Sequence, residues 1–265
     1  MKKNSYAGKF IVFEGIDGSG KTTQARLMGE RFAKEGINAL CTREPTDENI
    51  FGKLVRSIYT CQSLKESLPD ELVRCLQGEE YHFLRDMRDD APMRQLRHFE
   101  DIADQIRKGC YDRLPMLLQL GMIFDRYYHR IRTELPKLRE GIHVVSDRDF
   151  FSTLAYSAAN DISWQTLLDA HEDILGNDFI VPDLLLIIDV PVHVGIERTL
   201  VKQGGRRDYF DTKERLTKIR ERYLELSRDP EMNTYMSIAV VSGGGTFHDL
   251  HEKIWAGIAP VINPR

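Results

Sequence analysis

The order of hydrophobic and polar positions predicts short apolar strands that alternate with amphipathic helices. Five apolar runs have the length of strands, and they lie at 9–13, 37–42, 143–146, 184–190 and 238–241. The run LLLIIDV at 184–190 is apolar on both faces, which is typical of a strand in the middle of a parallel sheet. Because helical segments separate these runs, we predict an α/β fold with a doubly wound, five-stranded parallel sheet and helices on both faces.

Apolar residues at helical spacing define the segments between the strands. Ala25, Met28 and Phe32 mark a helix at 23–34, and Gly36 is its stop signal. Further helices are predicted at 51–59, near 72–76, from 90 to 106, at 114–140, from 152 onward, and at 193–201, 212–228 and 247–258. We interpret residues 1–265 as a single domain with a helical insertion at about 61–113.

The predicted insertion is rich in charge and carries no phosphate-binding or metal motif. Its run EEYHFLRDMRDD at 79–90 is typical of a solvated helical face with local ion pairs. Binding of a partner or capping of a substrate is the alternative.

A glycine-rich loop, GIDGSGKTT, joins the first predicted strand to the first predicted helix. It matches the P-loop pattern G-x-x-x-x-G-K-[ST], in which glycines let backbone N–H groups turn toward a phosphate chain. Lys21 is expected to reach the terminal phosphates, and the Thr22 hydroxyl is expected to bind magnesium. A turn that binds nothing is the alternative, but the strand, loop and helix together favour a nucleotide site. The residues predicted to hold ATP are Gly15, Ile16, Asp17, Gly18, Ser19, Gly20, Lys21, Thr22 and Thr23.

Charged residues also follow the second and third predicted strands. Arg43, Glu44 and Pro45 end the second strand, and Asp147 with Arg148 ends the third. In open α/β sheets ligands bind at the carboxyl ends of the strands, so both groups are expected at the ligand crevice. For Asp147 and Arg148 the alternative is an ion pair that only orders a loop.

Composition and charge narrow the class of protein. The chain of 265 residues is 42% hydrophobic and 29% charged, with a formal net charge of -4, so no global basic field points to nucleic acid. The N-terminus has no apolar signal region, and no window approaches eighteen apolar residues, so we expect a cytoplasmic protein without a membrane span. The four cysteines form no C-x-x-C pair, which argues against a zinc site.

Beyond the P-loop, an ordered set of motifs resembles the thymidylate kinases, which phosphorylate dTMP with ATP. The matching pieces are FEGIDGSGKTTQ at 13–24, TREP at 42–45, FDR at 124–126, DRDFFSTLAY at 147–156, PDLLLIIDV at 182–190, RRDYFD at 206–211 and RYLEL at 222–226. The resemblance spans nearly the whole chain except about 61–113. It implies a P-loop kinase that gives dTDP for dTTP biosynthesis and uses Mg²⁺ with ATP. Because kinases of this type are commonly dimers, the resemblance also leaves a homodimer open.

The resemblance also implies roles for individual residues. Asp17 matches an acid near magnesium and the acceptor phosphate, Arg148 an arginine at that phosphate, and Tyr156 an aromatic beside the sugar. The residues implied to bind the acceptor are Glu44, Pro45, Met122, Arg126, Arg148, Thr153 and Tyr156. The implied catalytic residues are Lys21, Asp17, Arg148, Arg206 and Arg207, and the implied metal-binding residues are Thr22 and Asp17.

Family members carry a catalytic arginine either in the glycine loop or in a lid over ATP. Here Gly18 follows Asp17, so the resemblance assigns the role to Arg206 or Arg207 in a lid at about 203–211. Two solvated lid charges are the alternative.

Departures from the family concern the acceptor base. Met122 stands where the family usually has an aromatic that stacks on thymine, Thr153 replaces a residue near the base edge, and Asp149 replaces a tyrosine. A kinase of another (deoxy)nucleotide or of a nucleoside therefore stays open, as does a non-catalytic nucleotide-binding regulator or a plain ATPase switch. The helix at 117–131 is either a dimer face or core.

Overall fold

The computed structural model describes residues 1–60, 90–202 and 212–263. The strands are β1 Lys2–Lys3, β2 Phe10–Glu14, β3 Ala39–Arg43, β4 His143–Asp147, β5 Ile180–Val181, β6 Leu184–Asp189 and β7 Ser237–Ser242. The helices are α1 Lys21–Lys34, α2 Ile50–Thr60, α3 Asp90–Arg107, α4 Leu114–His129, α5 Leu135–Arg139, α6 Phe150–Tyr156, α7 Trp164–Leu175, α8 Val192–Lys202, α9 Lys213–Leu226, α10 Pro230–Tyr235 and α11 Phe247–Ile262.

The five predicted strands form one sheet in the order β3-β4-β2-β6-β7, and every neighbouring pair is parallel. The predicted doubly wound parallel sheet is therefore confirmed. β2 occupies the centre, with Phe10 opposite Val144 of β4 and Ile11 opposite Leu184 of β6, and all its residues are buried. β1 and β5 add a separate two-stranded sheet, and each is only two residues long, too short to leave an apolar pattern.

Alternate residues of β2 face opposite layers of helices, as the pleat of a strand requires. Ile11 and Phe13 pack with α1 and α11, whereas Phe10 and Val12 pack with α5. The largest apolar cluster lies among α2, α3, α4, α6, α7 and α9. This arrangement leaves the carboxyl ends of β2, β3, β4 and β6 at one edge of the sheet, beside the helices of that cluster.

Helix α3 is described from Asp90 onward and buries Leu96, Phe99, Ala103 and Ile106. It packs on α4 and α7. Because α2, α3, α6 and α7 all contact α4, every residue from Leu117 to His129 is buried. The helix at 117–131 was interpreted as either a dimer face or core. Its burial within this chain supports the interpretation as core.

The predicted long helix at 114–140 is α4, a π-helical turn at Arg130–Glu134, and α5. The sequence patterns did not predict α7, which carries a buried histidine, His171. The predicted helix near 72–76, most of the charged run at 79–90, and Arg206 and Arg207 lie outside the described residues. Among the described residues, no helix has the length and apolar character needed to cross a membrane.

Candidate active site

The glycine loop connects β2 to the first turn of α1, so the helix N-terminus faces the loop. Gly15, Gly18 and Gly20 have φ values of 142°, 75° and 102°, a region that favours glycine. A Cβ on Gly18 would lie 2.1 Å from the carbonyl oxygen of Gly195 at the start of α8. This contact leaves no room for an arginine side chain at position 18.

Lys21 and Thr22 begin α1 beside the loop. The Lys21 ammonium lies 3.2 Å from the Ile16 carbonyl oxygen and 3.4 Å from Asp17 Oδ1. Burial and the positive charge of Arg148 lower the pKa of Lys21, although nearby carboxylates raise it. Among the described residues a carbonyl and one carboxylate hold this buried ammonium, which makes it a ready partner for phosphate oxygens.

The Thr22 hydroxyl donates to Asp147 Oδ2 at 2.5 Å, so the first helical turn is joined to the end of β4. The other Asp147 oxygen, Oδ1, is buried and has no hydrogen-bond partner in the described chain. A hydroxyl and carboxylate oxygens are the ligands that Mg²⁺ prefers, so this pair suits the cation. Sequence reasoning placed Asp147 at the crevice but did not name it for the metal, and its position at a strand end was the available signal.

Asp17, Arg148 and Tyr156 form a closed triangle of hydrogen bonds. Arg148 Nη2 donates to Asp17 Oδ1 at 2.5 Å and to the Tyr156 hydroxyl at 2.9 Å, and that hydroxyl donates to Asp17 Oδ2 at 2.8 Å. Burial raises the pKa of Asp17, but Arg148 and Lys21 outweigh it and hold that pKa well below its usual range. Asp17 is therefore ionised, and Lys21 and Arg148 both lie next to it.

The backbone at Arg148 adopts φ of 79°, which is strained for a residue with a side chain. Glu14, the last residue of β2, holds the turn that follows. Its carboxylate accepts from the N–H groups of Asp149 and Ser152 and from the hydroxyls of Ser152 and Tyr223. Burial raises the pKa of Glu14 above its usual value, although the charge of Arg148 and these hydrogen bonds act to lower it. Sequence reasoning missed this role, although an acid at the end of an otherwise apolar strand was a usable signal.

One cavity of about 840 Å³ extends from the glycine loop to α4. Its lining includes the acceptor candidates Glu44, Pro45, Met122, Arg148, Thr153 and Tyr156. It also includes Gln119, which sequence reasoning did not single out. The predicted acceptor residue Arg126 does not line this cavity.

Arg126 lies fully buried behind the wall of the cavity. Its Nε and Nη2 donate to Glu44 Oε2 at 2.8 and 2.5 Å, and its Nη1 donates to Thr153 Oγ1 at 3.1 Å. Asp149 Oδ1 lies 2.9 Å from its Nε, and the same carboxylate accepts two bonds from the buried Arg130. The replacement at Asp149 thus has a structural consequence, because this acid bridges two buried arginines.

His171 of α7 completes the surroundings of Arg126. Its Nδ1 lies 2.6 Å from the Leu167 carbonyl oxygen, which makes Nδ1 the protonated nitrogen. Its Nε2 therefore accepts from Arg126 Nη1, at 2.5 Å. Burial and the charge of Arg126 lower the pKa of His171 well below its usual range, so the ring is neutral.

Comparison with known proteins places this geometry in a family. The thymidylate kinase family model matches residues 13–73 and 91–239. The chain belongs to the thymidylate kinase family. A probable thymidylate kinase of Pyrococcus horikoshii is 34% identical over 252 residues, which cover 94% of this chain and 95% of the relative. One from Thermococcus onnurineus is 32% identical over 93% of this chain and 95% of its own length. A thymidylate kinase of Orientia tsutsugamushi is 28% identical over 85% and 82%.

As a thymidylate kinase family member, the chain is an ATP-dependent phosphotransferase. The P-loop end of the cavity is completed by Arg198 of α8 and Phe247 of α11. The Arg198 guanidinium carbon lies 5.9 Å from the centre of the Phe247 ring, and its Nη1 lies 3.4 Å from the Gly18 carbonyl oxygen. These two residues add a cation and an aromatic face beside the loop, and neither was singled out from the sequence.

Proposed function

We propose that this thymidylate kinase family member transfers the γ-phosphate of ATP to dTMP, giving ADP and dTDP. The observation that carries the proposal is the triangle of Asp17, Arg148 and Tyr156, which lies in one cavity between the glycine loop and α4. Phosphoryl transfer in line needs little covalent help from the protein, and positioning with positive charge is sufficient.

Lys21 and the N–H groups of the loop are the proposed donor-phosphate contacts. Arg148 is the proposed contact to the acceptor phosphate, because its guanidinium lies beside Asp17 at the end of the loop. Tyr156 is proposed to contact the acceptor sugar, where its hydroxyl is held between Asp17 and Arg148. Since Arg148 and Lys21 both flank Asp17, donor and acceptor phosphates meet at a single charged point.

Mg²⁺ is the proposed cofactor. Thr22 and Asp147, with Asp17 nearby, would hold it, since their hydroxyl and carboxylate oxygens suit a hard cation. When bound, the ion would supply positive charge that offsets the charge of the phosphates.

Arg206 or Arg207 is proposed as the lid arginine in the segment 203–211. Gly18 supports this proposal, because the carbonyl of Gly195 excludes a side chain at the loop position. The rest of the proposed organisation is one P-loop kinase domain with an insertion at about 61–113. A cytoplasmic location and a homodimer stay predictions, which fractionation and sedimentation would test.

The test is the steady-state rate with each common nucleoside monophosphate, and with thymidine, at fixed Mg-ATP. We expect the largest kcat/KM with dTMP. Turnover of thymidine but not dTMP would contradict the proposed acceptor, and ATP hydrolysis that no acceptor accelerates would contradict the proposed transfer.

A further inference from the structure

At the α4 end of the cavity lies a buried amide without a protein partner. Gln119 is 2% exposed and lines the cavity. Its side chain makes no hydrogen bond within residues 1–60, 90–202 and 212–263. Because this amide lines the cavity and has no partner among the described residues, it is open to hydrogen bonding with a bound ligand.

Two other residues that line the cavity, Thr153 and Glu44, also have unused hydrogen-bonding capacity. The Thr153 oxygen accepts from Arg126, and its own hydroxyl proton has no acceptor in the described chain. Glu44 Oε1 is buried and likewise has no partner there, while Oε2 of the same carboxylate is occupied by Arg126. Polar groups from three separate segments therefore converge on one end of the cavity with bonds still to make.

Arg126, which the resemblance assigns to the acceptor nucleotide, is not available to contact a ligand in the cavity. Arg126 is fully buried, lies outside the cavity lining, and gives its N–H groups to Glu44, Thr153 and His171. Freeing it for a ligand would leave the buried Glu44 carboxylate without its counter-charge. Another side chain must then meet the edge of the base.

Gln119 has the chemistry and the position for that edge. It lies three residues before Met122 on α4, so the two share a face of the helix, and both line the cavity. The phosphates have cationic partners in Lys21 and Arg148, whereas a neutral amide suits an uncharged base. An amide offers a donor beside an acceptor, and so does the imide edge of thymine, with its carbonyl and its N3–H.

We propose that the Gln119 amide pairs with the imide edge of the acceptor base, with Met122 as the apolar contact beside it. Gln119 is thus a specificity-determining residue of this family member. The inference rests on the proposed function, because it takes a pyrimidine nucleotide as the acceptor.

The test measures KM and kcat of Gln119→Leu with dTMP and with ATP, beside Gln105→Leu, which changes an exposed glutamine on α3. We expect KM for dTMP to rise about tenfold or more, since two neutral hydrogen bonds are lost. The kcat and the KM for ATP are expected to stay within about twofold. The melting temperature is expected to be unchanged or higher, because leucine replaces an unpaired buried amide.

A ligand that lacks the N3–H group tests the pairing directly. Wild type is expected to use N3-methyl-dTMP at least tenfold less well than dTMP. Gln119→Ala, which removes the partner and leaves room for the methyl group, is expected to use both within about threefold of each other.

The failures are distinguishable. No wild-type turnover with dTMP would overturn the proposed function and this inference with it. Wild-type turnover with an unchanged KM in Gln119→Leu, or the same N3-methyl penalty in wild type and Gln119→Ala, would overturn this inference alone.

Discussion

At the P-loop end of the cavity one continuous loop supplies the three left-handed glycines, Lys21 and Thr22. At the α4 end the lining comes from segments far apart in sequence, such as Glu44, Gln119 and Thr153. The first end depends on backbone conformation and therefore on local sequence. The second depends on side chains that a buried ionic cluster holds in place. If the proposed function is right, the donor is held mainly by backbone conformation and the acceptor mainly by side chains. Substitutions at the two ends are therefore expected to have different effects.

The largest expected effect is at the loop. Lys21→Ala should lower kcat about 10³-fold or more, because it removes a preorganised positive charge from the phosphates. The melting temperature should change little, since Lys21 makes only a carbonyl contact and one ion pair. The control is Lys34→Ala at the exposed end of the same helix. Near-normal turnover in Lys21→Ala would refute the site model.

Arg148 lies between the two ends of the cavity. Substitutions at this residue are expected to change turnover and the free energy of unfolding to different extents. Arg148→Gly should lower turnover with dTMP about 10²- to 10³-fold, because the cation beside Asp17 is lost. Glycine also relieves the strain of φ at 79°, which opposes the loss of the ion pair, so unfolding free energy should fall less than in Arg148→Ala. Chemical denaturation of both variants checks this order, and a more stable alanine variant would contradict it.

A matched pair of glycines sharpens the claim that the loop end depends on backbone. Gly18 and Gly36 have nearly equal φ values, 75° and 71°. A Cβ on Gly18 meets the Gly195 carbonyl, whereas a Cβ on Gly36 has nothing within 4 Å. Both alanine variants should lose about 1 kcal/mol of stability through strained φ, and Gly18→Ala should lose more because its Cβ would clash with the Gly195 carbonyl. Only Gly18→Ala should also lose turnover, about tenfold or more, as steady-state rates would show. Equal steady-state rates in the two variants would contradict the claim that the close contact between Gly18 and the Gly195 carbonyl is needed for turnover.

The smallest effect concerns pH and the α4 end. His171 is neutral when folded and its pKa is depressed, so the unfolded chain binds the proton first as pH falls. The contribution of the neutral His171 ring to the free energy of unfolding is complete above about pH 6.5, the ordinary pKa of histidine. It is lost progressively as the pH falls below that value. Urea unfolding between pH 5 and 8 should therefore show a steeper acid loss of stability in wild type than in His171→Gln. Parallel pH curves would mean that the ring is protonated, or exposed, in the folded state.

Much of the fold followed from local patterns. The apolar run before GIDGSGKTT predicted β2, and the start of α11 was predicted close to Phe247. α7 escaped prediction, although it carries His171. The predicted insertion was interpreted from its charge and from apolar residues at helical spacing. Only its part from Asp90 onward is described, where α3 packs against α4 and α7.

The candidate site likewise contains residues that the sequence identified and residues that it did not. The loop residues, Asp17 and Arg148 were named from the sequence, and the structure brings them together. Arg126 was named for the acceptor, but it is bound to Glu44 and lies outside the cavity lining. Gln119 and His171 were not named, because a single glutamine or histidine on an apolar helix carries no motif.

By itself the sequence determined the parallel sheet, the phosphate loop and the charged residues at the strand ends. Those features depend on spacing within one segment, on glycine's access to positive φ, and on the alternation of strands and helices. Only the tertiary structure decided which side chains face the acceptor. That choice depends on burial and on partners from distant segments. The Glu44 carboxylate and the neutral His171 ring hold Arg126 outside the cavity lining, and Gln119 has no hydrogen-bond partner among the described residues.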